Sequence, residues 1–214
     1  MKKHKAPLNE LLVQAIRDRI ISLDYAPGSL VPEPDICKEF NVSRTPIKEA
    51  LKKLEDMGLV TIIPRYGTTV SSIDIADVRC AFEIKIQLEK LAGSLAARRI
   101  TPDRIRELEA IVTTMKTMDS PTDYRQIIEL DARFHDIIYD AAQNPILKKM
   151  LQNLHSRCAR LWCSALNSNF PQTVIAGHLG EILESLKARD AARAEALMES
   201  HVQSFIDRIR EELL

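Results

Sequence analysis

Asn41-Val42-Ser43-Arg44-Thr45-Pro46-Ile47-Lys48-Glu49-Ala50-Leu51-Lys52-Lys53-Leu54-Glu55-Asp56-Met57-Gly58 is the stretch whose reading decides the fold. Ile47, Ala50, Leu51, Leu54 and Met57 recur at helical spacing, so they form one apolar stripe that must be buried against neighbouring helices. The opposite face is basic. Thr45, Lys48 and Lys52 follow one another at i, i+3 and i+7, with Arg44 at the amino end. A helix that enters a DNA groove places the side chains that meet the duplex in this way. Ser43 or Thr45 can cap the helix, Pro46 is tolerated in its first turn, and Gly58 suits the left-handed residue that ends it. The pattern predicts a DNA-recognition helix. Taken alone it does not exclude an ordinary surface helix that happens to carry lysines.

The flanking sequence supplies the context. Glu33 to Phe40 reads as a short amphipathic helix with Ile36, Cys37 and Phe40 on its apolar side, and Asn41-Val42 is a tight connection to the next one. Leu59-Val60-Thr61-Ile62-Ile63 and Thr68-Thr69-Val70-Ser71 are β-branched runs around Pro64-Arg65-Tyr66-Gly67, a hairpin with a basic tip. Ahead of these, Leu8 to Leu23 places Leu12, Ala15, Ile16, Ile20 and Leu23 on one side of a first helix. Three helices and a two-stranded wing make a winged helix-turn-helix. Residues 1 to 7 form a basic tail, free to touch DNA backbone or to do nothing.

These motifs resemble the N-terminal domain of the GntR family of bacterial transcription regulators. The resemblance is carried by Pro27-Gly28-Ser29-Leu30, by Val42 to Leu51 with Leu54-Glu55 and Gly58-Leu59-Val60, and by Pro64-Arg65-Tyr66-Gly67-Thr68-Thr69-Val70. It implies double-stranded, palindromic operator DNA as partner. Ser43, Arg44, Thr45, Lys48 and Lys52 would reach bases or phosphates, with Arg65 and Gly67 at the wing tip. Where the family often has a phosphate-contacting arginine in the second helix, this chain has Pro34, so that contact is absent or supplied elsewhere.

Composition sets the outer limits. With 214 residues, 45% of them hydrophobic, the chain has material for two modest domains. No segment approaches the ~20 apolar residues needed to cross a bilayer, and the basic N-terminus has no apolar run of signal-peptide type. A cytoplasmic protein with no membrane partner is expected. Thirty Lys and Arg balance thirty Asp and Glu, so any pull on DNA must come from local charge around residues 44 to 53 and at Arg65. Cys37, Cys80, Cys158 and Cys163 lack the paired short spacings of a zinc knuckle and read as reduced core thiols.

After the polar joint Ser71-Ser72-Ile73-Asp74 no strand signal appears. Thr101-Pro102, Ser120-Pro121 and Asn144-Pro145 are cap-then-proline helix starts, and Pro171 opens another helix. Six helices follow, roughly 74–98, 102–118, 121–142, 145–168, 171–188 and 190–213, the first carrying Phe82, Ile86, Leu88, Leu91 and Leu95. The chain is thus mainly α: a winged helix over 1–73 and an all-α bundle over 74–214.

Within that bundle Asp131 and His135 are four residues apart and share a helical face, while His178 and His201 lie on two later helices. An oxygen and three imidazoles converging from three helices would hold a divalent transition metal. By spacing alone, an Asp/His pair of this kind is more often a hydrogen-bonded pair than a ligand set. The surrounding residues resemble the FCD domain of the FadR-like GntR subfamily, in its shorter, six-helix VanR-type form. Those residues are Asp131-Ala132-Arg133-Phe134-His135, Asn144-Pro145, His178 ahead of Ile182-Leu183, and Arg193 to His201. Metal-binding members hold their ion with one Asp and three His at these motif positions. The resemblance therefore implies Asp131, His135, His178 and His201 as ligands, zinc as the first choice with nickel or manganese as alternatives, a small organic acid as effector, and a homodimer. Gly177-His178-Leu179 departs from the usual Glu-His-Arg. Lys85 stands where many members have an arginine facing the pocket, and reads equally as an effector contact or as a solvated lysine. His155, beside Arg157 and Arg160, reads as part of a polar helix face, and Trp162 as core or dimer seam. The function expected is a ligand-responsive DNA-binding regulator, a repressor more than an activator. A metal-dependent hydrolase on the same four residues and a regulator with a purely structural metal remain as alternatives.

Overall fold

A computed structural model describes residues 8–118, 124–165 and 172–213. The chain divides into two compact units that meet between Ile75 and Ala76. The first contains α1 (Leu8–Ile21), α2 (Glu33–Phe40), α3 (Arg44–Asp56) and the antiparallel strands β1 (Val60–Ile63) and β2 (Gly67–Val70). The second is helical throughout its described residues: α4 (Ile75–Arg99), α5 (Pro102–Thr117), α6 (Tyr124–Ala141), α7 (Pro145–Ala165), α8 (Gln172–Lys187) and α9 (Ala191–Leu213). Among the described residues no helix is long and apolar enough to cross a membrane. The Ser120-Pro121 and Pro171 helix starts, and the basic tail, lie outside the described residues.

In the first unit the apolar stripe of α3 is buried as its spacing predicts: Ile47, Ala50, Leu51 and Leu54 join Leu12, Ile16 and Ile20 of α1, Ile36 of α2, and Leu59, Val60 and Val70 of the wing in one core. Each Leu, Ile or Val among them contributes ~1.5–3 kcal/mol on burial. Gly58, at φ +72°, ends α3 in the left-handed conformation. Gly58 N–H donates to Glu55 O at 2.8 Å and Leu59 N–H to Leu54 O at 3.0 Å, which satisfies two of the carbonyls a helix end leaves open. Asn41, at φ +51°, makes the turn between α2 and α3. Two details differ from expectation. Ser43 occupies the N-cap position but its side chain makes no capping hydrogen bond. Leu23 takes φ +64° beyond the end of α1 rather than extending it, because the chain there turns toward Tyr25, whose N–H reaches Arg19 O.

The helical unit departs from the sequence reading in α4. Of Phe82, Ile86, Leu88, Leu91 and Leu95 only Phe82 is buried, and Leu91 is 45% exposed. The buried face is instead Val78, Ala81, Phe82, Ala92, Gly93, Ala96 and Ala97, together with the charged Lys85 and Glu89. Small residues bring α4 close to α9: a Cβ built on Gly93 would lie 2.6 Å from Met198 Cγ and 3.0 Å from the Ala194 carbonyl oxygen. The cysteines are all free, but Cys80 is exposed on α4 rather than in the core. Thr101 caps α5 through Arg104 N–H, and Asn144 Oδ1 accepts Leu147 N–H at the start of α7, as the proline motifs foretell.

Gly93→Ala tests this close approach. In an open helix the change stabilises by about 1 kcal/mol. Here the added methyl meets backbone, so overpacking of about 1–3 kcal/mol should reverse the sign and lower the urea midpoint of the helical unit.

Candidate nucleic-acid interface and metal centre

The face of α3 opposite its buried stripe is open. Ser43, Arg44, Thr45, Lys48 and Lys52 are all exposed. Lys52 Nζ donates to Glu55 Oε2 at 2.7 Å, and Glu55 Oε1 accepts Ile62 N–H at 2.9 Å. Lys52 and this backbone donor hold the Glu55 carboxyl below the usual range. Glu55 thereby joins α3 to β1 and partly spends the charge of Lys52. Arg44 and Lys48 enter no ion pair among the described residues, so the uncompensated charge lies toward the amino end of the helix.

The wing tip is the three-residue turn Pro64-Arg65-Tyr66 between paired Ile63 and Gly67. Arg65, at φ +65°, projects from it exposed. Gly67 has φ +134°, a conformation that L side chains rarely adopt, and a Cβ there would touch Leu30 Cδ2 at 3.4 Å. The role of Gly67 is therefore to shape the tip. Pro34 is exposed in the first turn of α2 and brings no donor.

In the helical unit, Asp131 and His135 on α6 meet His201 on α9. One ligand atom from each lies within 4.8 Å of the others, and all three residues are buried. His201 Nε2 is 3.3 Å from Asp131 Oδ1, and His135 Nε2 is 3.8 Å from Asp131 Oδ2. Asp131 Oδ1 and His201 Nδ1 nonetheless make no well-aligned hydrogen bond. The 3.3 Å separation of His201 and Asp131 is what bonds of ~2.0–2.1 Å in a tetrahedral shell require, and the wider His135 nitrogen must draw in for the three to share one ion. His178 stands outside it. Its ring, on α8, meets His201 edge-on at 5.9 Å, and its Nδ1 is 3.4 Å from Ser204 Oγ.

Three further residues bear on the centre. His155 on α7 brings its ring to 5.4 Å from His135, not onto a polar face. The signal for this was available: Leu151, His155, Cys158 and Trp162 follow at helical spacing along one side of α7. Glu89, fully buried, accepts hydrogen bonds from Lys85 and, at 2.5 Å, from the Tyr139 hydroxyl, and lies 3.3 Å from His135 Nδ1. Carboxylate and hydroxyl thus both sit at Nδ1, leaving Nε2 of His135 toward Asp131, the arrangement that orients an imidazole for a metal. From sequence, Lys85 reads equally as an effector contact or as a solvated lysine. Lys85 is in fact 4% exposed.

Burial opposes the charges of both carboxylates, yet their neighbours prevail. Lys85 and His135 hold Glu89 well below the ordinary range, and His135 and His201 do the same for Asp131. Burial, with the charges of Lys85 and His135, pushes His155 down to about 3, and burial lowers His201. Ionised carboxylate and neutral imidazole are the forms that ligate.

Beside the trio is a small cavity of about 40 Å³ bounded by α4, α6, α7 and α9. Trp162 lines it, its ring 4.2 Å from that of Phe205, a more specific place than the general core position its hydrophobicity suggests.

Comparison with known proteins agrees across both units. Residues 8–70 match the bacterial regulatory proteins of the gntR family, and residues 80–204 match the FCD domain, a domain that often binds metal. The chain is 28% identical to the HTH-type transcriptional repressor RspR of Escherichia coli strain K12 over 206 residues, 96% of this chain and 90% of that protein. Its fold is similar to that of E. coli McbR/YncC, with TM-score 0.82 and 22% identity over 98% of this chain and 100% of that one. A putative transcriptional regulator GntR from Rhodococcus sp. RHA1 gives TM-score 0.75 at 19% identity, over 95% and 97%.

Lys85→Met leaves the Glu89 carboxylate buried without its cation. Removing one partner of a buried pair costs about 3–5 kcal/mol, a loss to be read in urea denaturation of the helical unit.

Proposed function

We infer how this protein works from its kind: the chain belongs to the gntR family of bacterial regulatory proteins, is a DNA-binding transcriptional regulator with an FCD domain, and is not an enzyme. Its finer working is our proposal. A homodimer presents two α3 helices to the half-sites of a palindromic operator, about one helical turn of DNA apart. Arg44, Thr45 and Lys48 carry the contacts, Ser43 and Lys52 flank them, and Arg65 on the Gly67 turn reaches the neighbouring groove. The dimer is supported by an apolar row on α4, exposed at Ile84 and Leu91 and half-buried at Leu88 and Leu95, whose members follow at the 4-3-4 spacing of a helix seam. Repression is the favoured sign, because a relative matched over nearly its whole length is a repressor.

The single observation that carries the sensing half is the buried Asp131–His135–His201 trio beside the cavity. We propose that it holds a divalent transition metal, zinc before nickel or manganese, with His178 completing the set from α8. When bound, the ion supplies a Lewis acid with positions left for an acidic ligand. Glu89 keeps His135 in the ligating orientation, and Lys85 sets positive charge at the cavity wall. A small carboxylate that enters regulates only by favouring one arrangement of the two winged units, since equal affinity for both shifts nothing. The cavity favours this reading over an ion that merely braces the bundle.

Two outcomes are expected. Arg44→Ala leaves circular dichroism unchanged and weakens operator binding at least tenfold in gel shift; wild-type affinity would remove α3 from the interface. Asp131→Asn and His135→Ala each lose metal in elemental analysis, and His178→Ala weakens it by roughly 10–100-fold. Full retention in all three variants would dismiss the metal.

A further inference from the structure

The lining of the cavity is sorted along the helix axes. On α6, Ile128 precedes Asp131 and His135; on α7, Trp162 lies two turns after His155. On α9, Phe205 lies one turn after His201, and on α4, Phe82 lies one turn before Lys85. The ring contacts fix which ends meet. His135 stands against His155 and His201, Trp162 stands against Phe205, and Phe205 also meets His201 edge-on at 5.0 Å, so the two ends adjoin across one turn of α9. One end of the cavity therefore gathers the polar, metal-ligating groups. The other is closed by hydrocarbon and aromatic rings, with Val202 and Ala159 between them.

From this sorting we propose that the effector is a small monocarboxylate with an aromatic or branched hydrocarbon body, not a polyhydroxylated acid. The proposal rests on the metal-and-carboxylate reading above and narrows it. The carboxylate occupies the end where Lys85, His155 and the ion converge, within reach of the Lys85 ammonium and the His155 ring. The body then lies among Phe82, Trp162 and Phe205, whose faces and edges suit another ring or a branched chain. A sugar acid would bury its hydroxyl groups against these walls. Each hydroxyl left without a partner there costs affinity on the order of tenfold.

Trp162 is the chain's single tryptophan, so its fluorescence reports directly on the apolar end. Zinc-loaded protein is titrated with benzoate, 3-methylbutanoate, lactate and gluconate, following Trp162 emission and melting temperature. Benzoate or 3-methylbutanoate should bind at least tenfold more tightly than lactate and gluconate and should change the emission. Phe82→Leu and Phe82→Ala should weaken that binding stepwise while bound zinc and circular dichroism stay as in the wild type. Equal binding of all four acids, or tighter binding of gluconate or lactate, overturns the apolar-body proposal and leaves the carboxylate reading standing. If zinc loads but none of the acids binds, the carboxylate reading falls and takes the proposal with it.

Discussion

Two carboxylates held ionised inside a helical bundle set the terms for the rest of the C-terminal unit. A buried charge costs several kcal/mol unless other groups meet it, and each of these has its company fixed by a different helix. Glu89 on α4 takes Lys85 from its own helix and Tyr139 and His135 from α6. Asp131 takes His135 from α6 and His201 from α9. His135 belongs to both groups, so its ring cannot turn without disturbing each of them. A chain of polar contacts thus runs from α4 through α6 to α9, and the cavity opens where that chain meets α7.

This explains why a charged pair occupies the middle of an otherwise apolar helix face rich in alanine. The small residues let α4 approach α9 at Gly93, while Lys85 and Glu89 carry charge to the place where the histidines gather. The winged unit uses a carboxylate in a comparable way at its surface. Glu55 joins Lys52 of α3 to the backbone of β1, so the recognition helix and the wing keep a fixed spacing. In both units an acidic residue holds basic or imidazole groups in place.

Legibility in the sequence followed the range of the forces involved. The stripe Ile47, Ala50, Leu51 and Leu54, the Gly58 terminus, the hairpin around Pro64 to Gly67 and the Asn144-Pro145 start are local patterns, and the structure repeats them. On α4, counting large side chains points to Leu91 and Leu95 and overlooks the alanines that permit contact. Among the candidate ligands, Asp131 and His135 were tied by one helical turn. Two arginines close behind His155 suggest a polar face, and only packing brings its ring toward His135.

The sequence by itself determined the two-part plan, the basic face of α3 and the roster of metal-binding residue types, since these follow from periodicity, caps and chemistry along one segment. Tertiary structure alone decided which of those residues share a site. It assembled Asp131, His135 and His201, left His178 at the edge, admitted His155, and made the Lys85–Glu89 pair interior. The reason is that a site among four helices depends on their mutual rotation and depth, which arise from side-chain volumes packing across interfaces and leave no period in the chain to be read.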